Sequence, residues 1–123
     1  MTYHRFLDLS GRRVLLATDD GPLLATEQAI LDLIGEALGE GAEWIATPAS
    51  RLAHAFFDLK SGLAGAILQK TTNYRLSFAV LGEIPAEALQ SEALRAFIIE
   101  SNGRGEVLFL PDLAALEIRM AVR

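Results

Sequence analysis

From Glu43 onward the chain alternates between two kinds of segment, and that alternation constrains its fold more than any other feature. "EWIATP" (43–48), "RLSFAVLG" (75–82) and "EVLFL" (106–110) are short and largely apolar, the second of them almost without a break. A strand buried on both faces, as in a parallel sheet, reads that way. Between them lie longer stretches with apolar residues three and four apart, the mark of a helix with one buried side. Strand and helix in strict alternation predict one mostly parallel sheet with right-handed crossovers. Upstream, Tyr3 to Leu9 and Arg13 to Ala17 read as two strands about the turn Ser10–Gly11–Arg12, an antiparallel addition to that sheet. At 123 residues the chain has the length of one domain. The expectation is a single α/β domain over 1–123, an open sheet with an N-terminal hairpin and about four helices.

The helices carry their own start and stop signals. "TEQAILDLIGEALGEG" (26–41) places Ile30, Ile34, Ala37 and Leu38 on one side with Leu33 flanking. Thr26 is its N-cap and Gly39 and Gly41 its stop. "SEALRAFIIESNGRG" (91–105) has Ser91 as cap, Leu94, Phe97 and Ile98 facing inward, and Asn102–Gly103 as terminator. Pro111–Asp112 opens a last helix whose inner side is Leu113, Leu116 and Met120. The stretch "FFDLKSGLAGAILQKTTNY" (56–74) reads as the remaining helix, with Gly62 and Gly65 in its first turns.

Composition narrows the partners. Hydrophobic residues make up 51% of the chain, yet no apolar run approaches the roughly 18 residues of a membrane span. The N-terminus lacks a basic segment followed by an apolar one, so no signal peptide is read and a cytoplasmic location is the expectation. The absence of cysteine excludes disulfides and thiolate chemistry. A net charge of −5, with the eleven Lys and Arg scattered, speaks against nucleic acid and anionic membranes as partners.

The glycine-bearing helix raises the functional question. At 100° per residue, Leu63, Ala64, Ile67, Leu68 and Thr71 form a core side. Gly62, Gly65, Gln69, Thr72 and Asn73 then share the opposite, neutral side. A glycine inside a helix costs about 1 kcal/mol relative to alanine. A functional reason to carry two is close approach by another backbone or a flat ligand, with Gln and Asn supplying donors and acceptors. The local alternative is that Gly62 sits at the helix start, where propensity matters little, and that Gly65 packs beneath a loop of the same domain. Ser61 also stands near the first helical turn, where the macrodipole favours an anion such as a phosphate on its hydroxyl. Equally, Ser61 or Asp58 is simply an N-cap.

The segments "FFDL…SGLAG…LQK…NYRL" and "ESN" resemble a bacterial family known only as domain of unknown function 4180, from about Thr26 to the C-terminus. That resemblance implies a class and no chemistry. The order of elements is similar, more distantly, to STAS domains, including the anti-anti-sigma factors, which carry a phosphorylatable Ser or Thr at the start of the helix after the central strand. "DLKSGL" aligns Ser61–Gly62–Leu63 with the end of their Asp-Ser/Thr-Ser/Thr-Gly-Leu pattern, but places two residues between Asp58 and Ser61.

No nucleophile elbow, Walker loop or H-E-x-x-H motif is present. His54 and Asp58 stand four apart without a third ligand set by spacing, and a metal site needs at least three. Lys70–Tyr74 reads as a lysine lying over an aromatic ring, Asp19–Asp20 as loop chemistry, and "GRG" (103–105) as a helix C-cap. The first reading is therefore a non-enzymatic interaction module, without cofactor, that pairs with itself or with a protein partner through Gly62, Gly65, Gln69, Thr72 and Asn73. The second is a phosphoswitch on Ser61. The third is a small enzyme or ligand sensor with its pocket at the C-terminal strand ends, near Pro48 to His54, Gly82 to Pro85 and Pro111.

Overall fold

In the computed structural model, which describes residues 2–121, the N-terminal hairpin pairs β1 (His4–Leu9) with β2 (Arg12–Ala17). Its turn has two residues rather than three. Ser10 and Gly11 both take positive φ, 50° and 78°, giving a mirror-image turn whose twist suits a hairpin. Arg12 is thereby freed to pair with Leu9. The chain continues through α1 (Glu27–Gly39), β3 (Trp44–Pro48), α2 (His54–Phe57), α3 (Leu63–Asn73), β4 (Ser77–Leu81), α4 (Glu92–Arg104), β5 (Val107–Leu110) and α5 (Leu113–Ala121). Short 3-10 turns interrupt it at Ala49–Arg51, Leu59–Ser61 and Ala88–Gln90.

The sheet is ordered β1-β2-β3-β4-β5, antiparallel only between β1 and β2 and parallel from β2 onward. Because the parallel strands add in chain order, crossovers of one hand all land on one face. Leu15, Ile45, Phe78, Val80 and Phe109 pack there against Ile30 and Ile34 of α1, Ala64 and Ile67 of α3 and Leu94 of α4. Among the described residues the other face is covered by a single helix, α5, whose Leu116 and Met120 lie on Val14, Trp44, Ala46, Ala79 and Leu108.

The expected caps form. The Thr26 hydroxyl accepts from Ala29 N at 3.1 Å and the Ser91 hydroxyl from Leu94 N at 3.2 Å. Along α1 the buried stripe is Ile30, Leu33, Ile34 and Ala37, while Leu38 turns outward. Two helices differ from the sequence reading. The stretch from Phe56 to Tyr74 is not one helix. The Asp58 carboxylate accepts from Lys60 N, and the Ser61 hydroxyl donates to Ala55 O at 2.6 Å. Such local bonds compete with helical ones, and Gly62 then takes a left-handed φ of 79°, so α3 begins only at Leu63. α4 in turn runs past Asn102–Gly103 and stops at Gly105, whose φ is 83°. Asn102 has another task. Its side-chain amide accepts from Phe109 N at 2.7 Å and donates to Phe109 O at 3.3 Å, engaging the backbone of the last strand in the sheet.

A buried cation ties the N-terminal loop to the sheet. Arg51 is 4% exposed, and its guanidinium donates to the carbonyls of Pro22, Tyr3 and Thr18 at 2.6, 3.2 and 2.6 Å. Burial pushes this guanidinium below its ordinary pKa, with the Asp20 carboxylate and Tyr3 acting in the opposite direction. Gly21 makes room for it: a Cβ at that position would stand 2.5 Å from Arg51 Cζ and 2.7 Å from Tyr3 Cβ.

One polar group is left over. Thr47, fully buried on β3 beside Val80, is the only sealed side-chain donor or acceptor among the described residues that has no hydrogen-bond partner. An unpaired buried hydroxyl costs about 1–3 kcal/mol. Valine has the same shape without that group. Thr47→Val is expected to raise the free energy of unfolding by about 1 kcal/mol, read as a higher urea midpoint at unchanged slope.

Candidate functional site

α3 meets the core with one side and water with the other. Ala64, Ile67 and Thr71 are buried, Leu63 and Leu68 half-buried, and Gly62, Gly65, Gln69, Thr72 and Asn73 all exposed. No loop among the described residues lies over Gly65: a Cβ built there meets nothing within 4 Å. The local explanation offered for this glycine, packing beneath a loop, is therefore removed. Gly62 does have a local explanation. It stands outside the helix in a left-handed conformation that glycine adopts without strain, so its lack of a side chain reflects backbone geometry.

On one flank α3 packs against α1. On the other it stops short of α4 and leaves a groove of about 300 Å³. Gly65, Leu68, Gln69 and Thr72 form the α3 side, Phe97, Ser101 and Arg104 the α4 side, and Glu106 and Val107 close one end. Its lining is mixed in a specific way. Leu68, Phe97 and Val107 are all half-buried members of the adjoining core, whereas Gln69, Thr72, Arg104 and Glu106 are exposed. An apolar floor with a polar rim is the arrangement that holds one large apolar group and fixes its orientation. Gly65 keeps it open, since any side chain there would project toward the space. The structure thus gathers Gly65, Gln69 and Thr72 at this groove, and leaves Gly62 and Asn73 beyond its lining. Sequence reasoning missed Phe97, Ser101 and Arg104, which come from a different helix; the uneven amphipathicity of α4, with only Leu94 and Ser101 buried, was the available signal.

Ser61 ends the 3-10 turn before α3. Its hydroxyl donates to Ala55 O and accepts from Leu63 N at 3.2 Å, so it caps the first turn of α3 from outside. A phosphoryl group on this oxygen would remove the hydrogen that Ala55 receives. His54, in α2, and Asp58 line a separate concavity of about 340 Å³ together with Glu87 and Ser91. Of the stretches expected to form a pocket at the C-terminal strand ends, His54 is the part that lines it. Among the described residues no three His, Asp or Glu side chains converge as metal ligands, and no helix is long and apolar enough to cross a membrane.

The sequence model of a family described as Domain of unknown function (DUF4180) matches residues 9–120. No curated protein and no solved structure matches the chain.

Proposed function

We propose, for a chain that belongs to this family and inherits no assigned chemistry from it, that it is a protein-interaction module whose α3–α4 groove receives an apolar side chain of a partner protein. The observation that carries this reading is Gly65. It lies in the first turn of α3, two residues after Leu63, where glycine still costs a fraction of the roughly 1 kcal/mol it costs in a helix interior relative to alanine. No atom of the described residues approaches closely enough to demand it, and it borders a groove with an apolar floor and a polar rim. Interfaces concentrate their binding energy where one bulky side chain enters such a pocket while polar groups around it exclude water. A phosphoswitch on Ser61 has less behind it, because the hydroxyl already serves two backbone groups.

A graded pair of substitutions separates binding from folding. Gly65→Ala is expected to raise stability by about 0.5 kcal/mol, part of the gain from replacing a helix-interior glycine, because Gly65 stands in the first turn. Gly65→Leu keeps the fold but fills the groove. Proteins retained by the tagged wild-type chain in its own host are expected to survive Gly65→Ala and to be lost with Gly65→Leu. A retained set that is unchanged by Gly65→Leu, with its melting temperature at or above wild type, defeats the groove as the docking site.

A further inference from the structure

We infer that the chain forms a symmetric dimer in which β1 pairs antiparallel with β1 of a second copy, joining two sheets into one. β1 lies at one end of the sheet order. It pairs with β2 residue for residue from His4 to Leu9, without a bulge, and Tyr3 O accepts from Thr18 N at 2.9 Å. By the alternation of an antiparallel ladder, Tyr3, Arg5, Leu7 and Leu9 bond inward to β2, and the backbone groups of His4, Phe6 and Asp8 point away from it. No hydrogen bond from another described element reaches those outward groups. Natural sheets blunt such an edge with lysine, proline, a bulge or a covering segment. At the far end of this sheet the Asn102 amide does so by engaging Phe109 N and O. β1, with the sequence HRFLDL, has neither lysine nor proline.

The order of residues in β1 complements itself. A two-fold axis at Phe6 sets Phe6 opposite Phe6 of the second copy, and His4 opposite Asp8 in both halves. All three are outward-bonding residues, so each opposed pair exchanges both of its backbone bonds. Their side chains stand on the helical face of the sheet, where Phe6 packs on the core. Aromatic pairs and pairs of opposite charge are favourable when directly opposed across strands. An imidazole keeps an N–H to donate in either protonation state, and an ionised carboxylate accepts. Both groups are loosely held within one copy. Asp8 is 69% exposed with Arg13 at 3.7 Å, and His4 stands 3.9 Å from Glu36, distances beyond a hydrogen bond. In the dimer Asp8 lies in a row between Arg13, its neighbour on β2, and His4 of the second copy.

The neighbouring registers fit less well. An axis at Arg5 opposes two guanidinium groups, and one at Asp8 opposes two carboxylates, each a destabilising pair. An axis at Leu7 places Asp8 opposite Phe6 and His4 opposite the turn residue Ser10. With the axis at Phe6, Arg5 instead lies opposite Leu7 on the α5 side of the sheet, where its aliphatic stem covers the leucine. Two-fold closure uses both β1 edges, and Asn102 holds β5, so the assembly stops at two. The α3–α4 groove, closed at one end by Glu106 and Val107 beside β5, stays open in each copy.

At about 100 µM, tenfold above a Kd of about 10 µM, the full chain is expected to sediment with twice the mass of one 13.3 kDa chain. In the same sample the Phe6 and Asp8 amides are expected to exchange hydrogen at least about tenfold more slowly than an exposed amide. Asp8→Pro deletes an outward donor and spares every bond to β2, as proline does on a free edge. It is expected to weaken the dimer at least about tenfold, with the circular dichroism of wild type. Gly65→Leu is expected to leave the mass unchanged, which separates this contact from the groove. A single-chain mass for wild type at about 100 µM overturns the inference. A dimer left intact by a folded Asp8→Pro chain overturns it too, and assigns the contact to another surface. If the proline variant loses its fold, exchange in wild type decides: unprotected Phe6 and Asp8 amides in a dimeric sample defeat the β1 pairing.

Discussion

Gly21→Ala is expected to lower the free energy of unfolding by about 3 kcal/mol, a large part of the stability of an ordinary domain. The cause is a clash with a group that cannot easily give way. The added methyl would stand 2.5 Å from Arg51 Cζ and 2.6 Å from Nη1, where real contacts are about 3.5 Å or more. Arg51 cannot step aside without leaving the carbonyls of Pro22 and Thr18 without their donor and that of Tyr3 with Thr18 N alone, and unmade bonds to a charged group cost more than neutral ones. Arg51→Ala should cost a similar amount by removing the same three bonds, which leaves the Pro22 and Thr18 carbonyls without a donor. The two losses should not add, because the arginine is what the new methyl strikes. A double-mutant cycle in urea tests this: Gly21→Ala in the Arg51→Ala background is expected to retain only the smaller penalty from Tyr3. Full additivity would mean that the loop tolerates the methyl by some movement independent of the arginine.

The second large effect is expected at Asn102. Asn102→Leu keeps the branching of the side chain and its number of heavy atoms and deletes both of its bonds to Phe109. About 2 kcal/mol of stability should be lost, since a buried donor and acceptor go unmatched. β5 lies at one end of the sheet order, and an edge strand with free backbone groups invites pairing with another chain. Asn102 supplies an amide where a neighbouring strand would otherwise supply one. The variant is therefore expected to associate in a concentration-dependent way that wild type does not show, measured by light scattering at matched concentrations. A variant that is destabilised but shows no greater association would assign Asn102 to stability alone.

The parts of this architecture legible in the sequence are those set by local chemistry. The apolar run that becomes β4, the Thr26 and Ser91 caps, and the Leu116–Met120 stripe of α5 each depend on residues a few positions apart. The break before α3 was written locally too, in Asp58, Ser61 and Gly62, but the helical spacing of Leu63, Ile67 and Leu68 masks it. The Arg51 clamp was not legible, because its partners lie 29 to 48 residues away in sequence and an arginine among apolar residues has no signature of its own. The candidate site was half legible. The exposed side of α3 follows from periodicity, whereas the groove exists only because α4 lies beside it and stops short.

The order in which strands join the sheet is also the order in which they leave the ribosome. Each of β2 to β5 docks on the strand made just before it, so every pairing closes a short stretch of chain and none must wait for a distant segment. The exception is the lid on the second face. Among the described residues, Trp44, Ala46, Ala79 and Leu108 receive their helical cover from α5, which is translated after every strand of the sheet. A nascent chain halted before Leu113 would hold a nearly finished sheet with one greasy side bare, which is the stage at which a chaperone has most to offer it.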